Sequence, residues 1–168
     1  MTPIGSIKLA ELNPNTYFTY AGIWLMPNLA GGSATTGITI TPSGSNGFTA
    51  MEIAGLGTKP RLDANGGYSL GYGATSGSGM PSGYTPALAA SSAILIGTGA
   101  AYGVSSYVTP GGWTNVPNAS YSSTQYQIVT NASGNTYQYD PSGGSAGWGS
   151  AIIALYNTGS GSLMAGLL

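Results

Sequence analysis

The feature that most restricts what this chain can fold into is the placement of its breakers. It holds Gly 29 and Pro 10 in 168 residues. They fall between short apolar runs, not in blocks. A helix pattern needs longer uninterrupted stretches, whereas short β-rich runs bounded by Gly, Pro, Asn and Ser read as strands of an all-β sandwich or barrel. The same breakers without apolar runs would imply disorder. The 17 aromatics (Trp 3, Tyr 12, Phe 2) and an apolar fraction of 42% supply a core instead.

This punctuation divides the chain into three sections. Residues 1–27 form an extended N-terminal arm, a first strand, or both. Ile4, Ile7, Leu9 and Leu12 alternate there with Lys8 and Glu11, and a turn or two of helix could run up to Asn13-Pro14. Thr16 to Met26 is rich in β formers. Residues 28–158 form the β-sandwich domain. Gly37–Thr41 alternates, Phe48–Gly55 reads as a strand, and residues 56–86 read as a long Gly/Ser/Tyr-rich excursion. Ala93–Gly97 reads as a short buried strand, and Pro110-Gly111-Gly112-Trp113 as a turn before an aromatic anchor. Tyr126–Thr130 and Thr136–Tyr139 flank Asn131–Asn135, which predicts a hairpin loop. In Trp148–Tyr156, Trp148, Ile152 and Tyr156 share one face and Ala151, Ile153 and Leu155 the other, so both faces are apolar and the strand should be central. Residues 159–168 form a Gly/Ser-rich, then apolar, C-terminal tail.

Charge excludes whole classes of function. Lys8, Lys59 and Arg61 are the fixed cations; Glu11, Glu52, Asp63 and Asp140 are the side-chain anions. Charged residues make up 4% of the chain, against about a quarter in an ordinary domain. Three cations cannot track a phosphate backbone or an anionic membrane surface, so neither nucleic acid nor membrane is expected as a partner. A net charge of −1 leaves little repulsion between copies and favours association. No apolar run approaches the ~18–20 residues of a membrane helix, and the first residues lack the pattern of a signal peptide.

The residues that carry chemistry are scarce. With no Cys and His 0, there is no thiolate or imidazole for a triad or a metal site. Gly97-Thr98-Gly99-Ala100-Ala101-Tyr102-Gly103 after a strand imitates a dinucleotide loop. The next segment, Val104 to Pro110, is not helical, and no acid lies between Asp63 and Asp140. A glycine-rich turn leaving the strand is the simpler reading. Glu52, Asp63 and Asp140 could in principle serve glycoside hydrolysis or bind calcium. Glu52 reads better as a structural acid in an apolar strand, and the Asp63 and Asp140 segments as Asp-initiated turns. No catalytic residue, cofactor or metal is expected. Asn118-Ala119-Ser120 and Asn131-Ala132-Ser133 match the glycosylation pattern by chance. Two sets of residues remain as candidates for contact. Tyr68, Tyr72 and Tyr84 sit in Gly/Ser-rich sequence and suit a binding loop, or else pack that loop down. Ile4, Ile7, Leu9, Leu12, Leu163, Met164, Leu167 and Leu168 make both ends apolar, where termini are usually polar, and suit docking on another subunit or folding back on the chain's own core.

The order of several pieces carries a resemblance: Met51-Glu52-Ile53-Ala54-Gly55, Ile94-Leu95-Ile96-Gly97, Pro110-Gly111-Gly112-Trp113-Thr114, Tyr126-Gln127-Ile128-Val129 and Trp148–Ala154. Over roughly residues 35–157 the chain resembles a jelly-roll-like β-sandwich module of bacteriophage head and tail proteins and bacterial surface proteins. It departs from that module in its N-terminal residues and its apolar tail. The resemblance implies an antiparallel two-sheet sandwich and adhesion or virion structure rather than one fixed activity. With no signal-peptide pattern at Met1 to Lys8, the chain is expected to be made in the host cytoplasm and to reside in the virion. It supplies no catalytic residues. The expected role is a capsid decoration or cement protein. The expected partners are the major capsid protein, tail proteins or further copies, a trimer among them. The alternative is a tail-fibre module that recognises host glycan.

Overall fold

The computed structural model describes residues 2–6, 22–25, 49, 51, 53–54, 61–73, 79–101, 104, 106–117, 122–143, 147–156 and 164–165. Among the described residues there is no helix. The strands are β1 (Thr2–Ser6), β2 (Gly22–Leu25), β3 (Ile53–Ala54), β4 (Arg61–Leu62), β5 (Tyr68–Gly73), β6 (Ser92–Ala101), β7 (Thr114–Asn115), β8 (Ser123–Thr130), β9 (Trp148–Tyr156) and β10 (Met164–Ala165). The described part of the chain is all-β, as its breakers require.

One antiparallel sheet organises the molecule, in the order β4-β9-β6-β8-β7, with β5 also paired to β9. β4 and β5 share a single border of β9. Arg61 and Leu62 lie opposite Tyr156 and Leu155, and Tyr68–Gly73 lie opposite Ile153 to Trp148. They form one edge interrupted by a corner at residues 63–67. β1 pairs with β2, and β10 with β3, as separate two-stranded pieces.

β9 is central because neither of its faces is polar. Trp148 to Leu155 is buried throughout, and β6 runs along it from Ile94↔Leu155 to Ala101↔Trp148. On one face Ile94, Ile96, Ile153 and Leu155 pack with Ile23, Met51, Ile53, Leu62 and Tyr126. On the other face Ala93, Leu95, Val129 and Ala154 pack with Leu88, Ala132, Trp113 and Tyr137. Each fully buried Ile or Leu contributes roughly 1.5–3 kcal/mol, so covering both faces of β6 and β9 is the main stabilising event.

The second face is covered by an irregular ribbon. Residues 80–88 run antiparallel to residues 135–141, with Ser82 N–H donating to Tyr139 O at 2.8 Å, Thr85 N–H to Tyr137 O at 2.8 Å and Leu88 N–H to Asn135 O at 2.9 Å. Val108 bridges to Ser142 beside it. The ribbon presses Tyr139 onto Gly97, where a Cβ would clash with the tyrosine ring. Met80 lies over Gly99, its Cε 3.2 Å from where a Cβ would stand.

Four sequence expectations change here. Gly97 and Gly99 are not a turn: they lie inside β6, where they clear space for the ribbon. Thr136–Tyr139 does not return along β8 as a hairpin. β8 has β6 on one border from Ser123 to Thr130 and β7 on the other at Gln125 and Tyr126; after Asn131 (φ 56) the chain leaves the sheet and pairs with residues 80–88 instead. The excursion at 56–86 contains β4 and β5, because Leu62 and Leu70 pack against the sheet. Thr2–Ser6 is a strand rather than the start of a helix; residues 7–12 lie outside the described residues. The Pro110–Trp113 turn forms, closed by Trp113 N–H to Pro110 O at 3.2 Å with Gly112 at φ 82.

Candidate functional site

The three candidate tyrosines do not converge. Tyr68 and Tyr72 are on strand β5, not in a loop. They stand on one face of it, opposite Ile153 and Gly149 of β9. Four residues of strand separate them by roughly 13 Å. Their exposures are 45% and 52%. Leu70 lies between them on the same face and packs against Ala151 and Ile23. Tyr84 is 65% exposed and belongs to the ribbon over the opposite face of the sheet. Both faces of the molecule thus carry outward tyrosine, but as separate surfaces.

The apolar ends are partly placed. Ile4 falls within β1, paired to β2 from Thr2↔Leu25 to Ser6↔Gly22. Ile23 of β2 packs on the main sheet. Met164 lies opposite Ala54 in the β10–β3 pair, and Ile53 of β3 also packs on that face. Ile7, Leu9, Leu12, Leu163, Leu167 and Leu168 lie outside the described residues.

The acids divide by environment. Asp63 is 3% exposed and receives backbone N–H groups from Ala89 (2.9 and 3.0 Å), Ala90 (2.8 Å) and Asn65 (3.0 Å). Burial opposes its ionisation, but these hydrogen bonds outweigh burial and hold the carboxyl below the usual aspartate range. Asn65 Nδ2 donates to Ala87 O at 2.8 Å. Together they tie the corner between β4 and β5 to the start of β6. The Asp-initiated turn read from the sequence is present, with Gly66 N–H donating to Asp63 O at 2.9 Å. Asp140 is exposed, on the outside of the ribbon, its carboxylate against Gly79. Glu52 lies outside the described residues. Among the described residues no three acidic side chains gather as metal ligands would.

Most polar groups between ribbon and sheet are spent on structure, although Gln125 Oε1 is buried with no hydrogen-bond partner. Ser123 Oγ and Tyr139 OH are 2.6 Å apart, Gln125 Nε2 donates to Thr109 Oγ1 at 3.0 Å, and Ser150 Oγ donates to Met80 O at 2.7 Å. Burial pushes Tyr139 far above its ordinary value; the Ser123 hydrogen bond opposes that shift and Tyr107 adds to it. Ser123, Tyr139 and Ser150 are sealed from solvent, so the arrangement positions the ribbon and offers no surface to a substrate.

Val108 and Ile128 are also exposed, at 67% and 42%. Sequence reasoning misses them, and misses Gln138, which bridges directly to Tyr84. A signal for Gln138 exists: in Tyr137-Gln138-Tyr139-Asp140, alternation places Gln138 and Asp140 on the side opposite Tyr139. Comparison with protein-family models, with curated proteins and with solved structures finds no match.

Proposed function

We propose that this chain is a structural protein of a bacteriophage particle, a capsid decoration or cement protein, built as a jelly-roll-like sandwich in which β2 and β3 belong to a second sheet. The observation that carries this reading is an outer surface almost without charge. Arg61, Asp63 and Asp140 are the only fixed side-chain charges among the described residues, and Asp63 is buried. Tyr68, Tyr72, Tyr84, Val108 and Ile128 are exposed instead. Such a surface engages partners by shape, apolar burial and neutral hydrogen bonds. That suits a part fixed in many copies on a lattice, where its partners are the major capsid or tail proteins or further copies of itself. The scarcity of ionisable side chains supports a non-enzymatic role in the same way.

The second reading, a tail-fibre module for host glycan, is favoured by the outward tyrosines. The two are separated by locating the chain in purified particles. A decoration protein is present at a copy number comparable to that of the capsid protein and is visible on the head. A receptor-binding module is scarce and confined to the tail. Absence from purified particles would overturn both.

A further inference from the structure

The outer face of the ribbon brings together a set of side chains that no part of the core requires. Tyr84 and Gln138 are bridge partners on adjacent antiparallel segments. Directly opposed residues hold their Cβ atoms about 4.5–5.5 Å apart. Asp140 lies two positions beyond Gln138, about 7 Å along an extended chain and on the same side. The inward residues of this stretch bear out the alternation: Thr85, Tyr139 and Pro141 are buried, while Tyr84 and Asp140 are exposed. The carboxylate of Asp140 lies across Gly79, where any side chain would displace it. The hydrogen bonds that hold the ribbon do not draw on these three side chains. They come from its backbone and from Ser82 and Thr85, which accept from Tyr139 N–H and Tyr137 N–H at 3.0 Å each.

We propose that Tyr84, Gln138 and Asp140 form a binding site for an uncharged polysaccharide. The chemistry of the three groups fits a pyranose. A flat exposed ring stacks on the apolar C–H face of a sugar. A side-chain amide both donates to and accepts from hydroxyls, and a carboxylate accepts from two neighbouring hydroxyls at once. The ligand's charge is set by the surface. Among the described residues the site carries one carboxylate and no lysine or arginine, so a sulfated or uronic-acid polymer would be repelled, whereas a neutral one loses nothing. The ribbon is also anchored before any ligand arrives. Tyr139 is wedged over Gly97 and hydrogen-bonded to Ser123, and its ring meets Trp113 at 4.9 Å between centroids. Preorganisation of that kind lowers the entropic cost of binding. The ligand class rests on the glycan-binding reading of the outward tyrosines, but binding of the isolated chain to a polymer is read independently of where in a particle the chain sits.

The test is affinity electrophoresis and titration calorimetry of the full chain. The probes are dextran, a galactan, a mannan and a soluble β-glucan, with heparin and alginate as anionic counterparts. Retention by at least one neutral polymer is expected, with none by the anionic pair. Tyr84→Ala should weaken that binding by about tenfold or more, the loss typical of an aromatic anchor. Gln138→Ala and Asp140→Asn should each weaken it. Tyr72→Ala, on the other face of the sheet, should leave it unchanged. Melting temperatures of all four variants should match the wild-type value, as substitutions at exposed or half-buried positions permit. The proposal is overturned if no neutral polymer is retained, if the anionic polymers are retained as well, or if Tyr72→Ala weakens binding as much as Tyr84→Ala.

Discussion

Two residues show how closely the ribbon and the corner are fitted to the sheet. Gly97 has no room for a Cβ beneath Tyr139, and both are fixed on rigid segments. Gly97→Ala should therefore cost about 1–3 kcal/mol by overpacking, read as a lower midpoint in urea with an unchanged slope. Asp63 is the second. Asp63→Asn removes the charge that Ala89, Ala90 and Asn65 address and turns a donor toward donors, so a loss of about 1–3 kcal/mol is expected. It also has a pH signature. The folded carboxyl titrates below its unfolded value, so its contribution is complete above the unfolded value, near 3.9, and is lost as pH falls through the folded one. The wild-type chain should lose stability along that acid limb, and Asp63→Asn should flatten it; an unchanged limb in the variant would show that Asp63 does not contribute. Of these two residues, Asp63 is legible in the sequence as a turn initiator. Gly97 is not, because its reason is a ring 42 positions away in the chain, and strand periodicity carries no information about what lies on top.

Among the elements, β9 is readable from its residues alone. An apolar set on both faces admits no edge position, and the strand lies between β6 and the β4/β5 border. Ile153→Ala, at a site with apolar neighbours from β6 on one face, should cost about 2–5 kcal/mol, measured by the same denaturation. Amide hydrogen exchange should be slowest in β6 and β9 and fast in the two-residue β7. Segment 131–139 defeats a local reading for a physical reason. Turn chemistry at Asn131 and Gly134 is local and real, with φ 56 and 79, but where the chain pairs after the turn depends on a distant partner. That partner is the segment at residues 80–88, about fifty positions earlier. The tyrosines on β5 are hidden likewise: Gly71 and Gly73 read as loop, yet they are small because Pro81 and the Trp148 ring lie against them.

At the scale of the whole molecule, the sparse charge is legible at once and sets how the chain meets its partners. Screening acts on exposed charges, so association through this surface should be nearly indifferent to salt. Incorporation into particles, or binding to purified ones, should change little between low and high ionic strength. A steep salt dependence would contradict a contact made by shape and apolar burial. The ends of the chain are tested by truncation. Removing residues 162–168 takes away β10, which pairs with β3 beside the core. If the tail serves only this domain, the melting temperature falls and incorporation falls with it. If it docks elsewhere, the domain stays folded and incorporation alone is lost.

The ring of Tyr139 standing where Gly97 has no side chain also has a consequence over generations. Neither position can change size alone without a loss of stability. A larger residue at 97 is blocked by the ring, and a smaller one at 139 leaves a hole above a bare stretch of β6. Descendants of this chain should keep a small residue at 97 wherever they keep a ring at 139, so the two sizes should be inherited together, while Tyr84, on the outside of the same ribbon, answers to whatever the molecule meets.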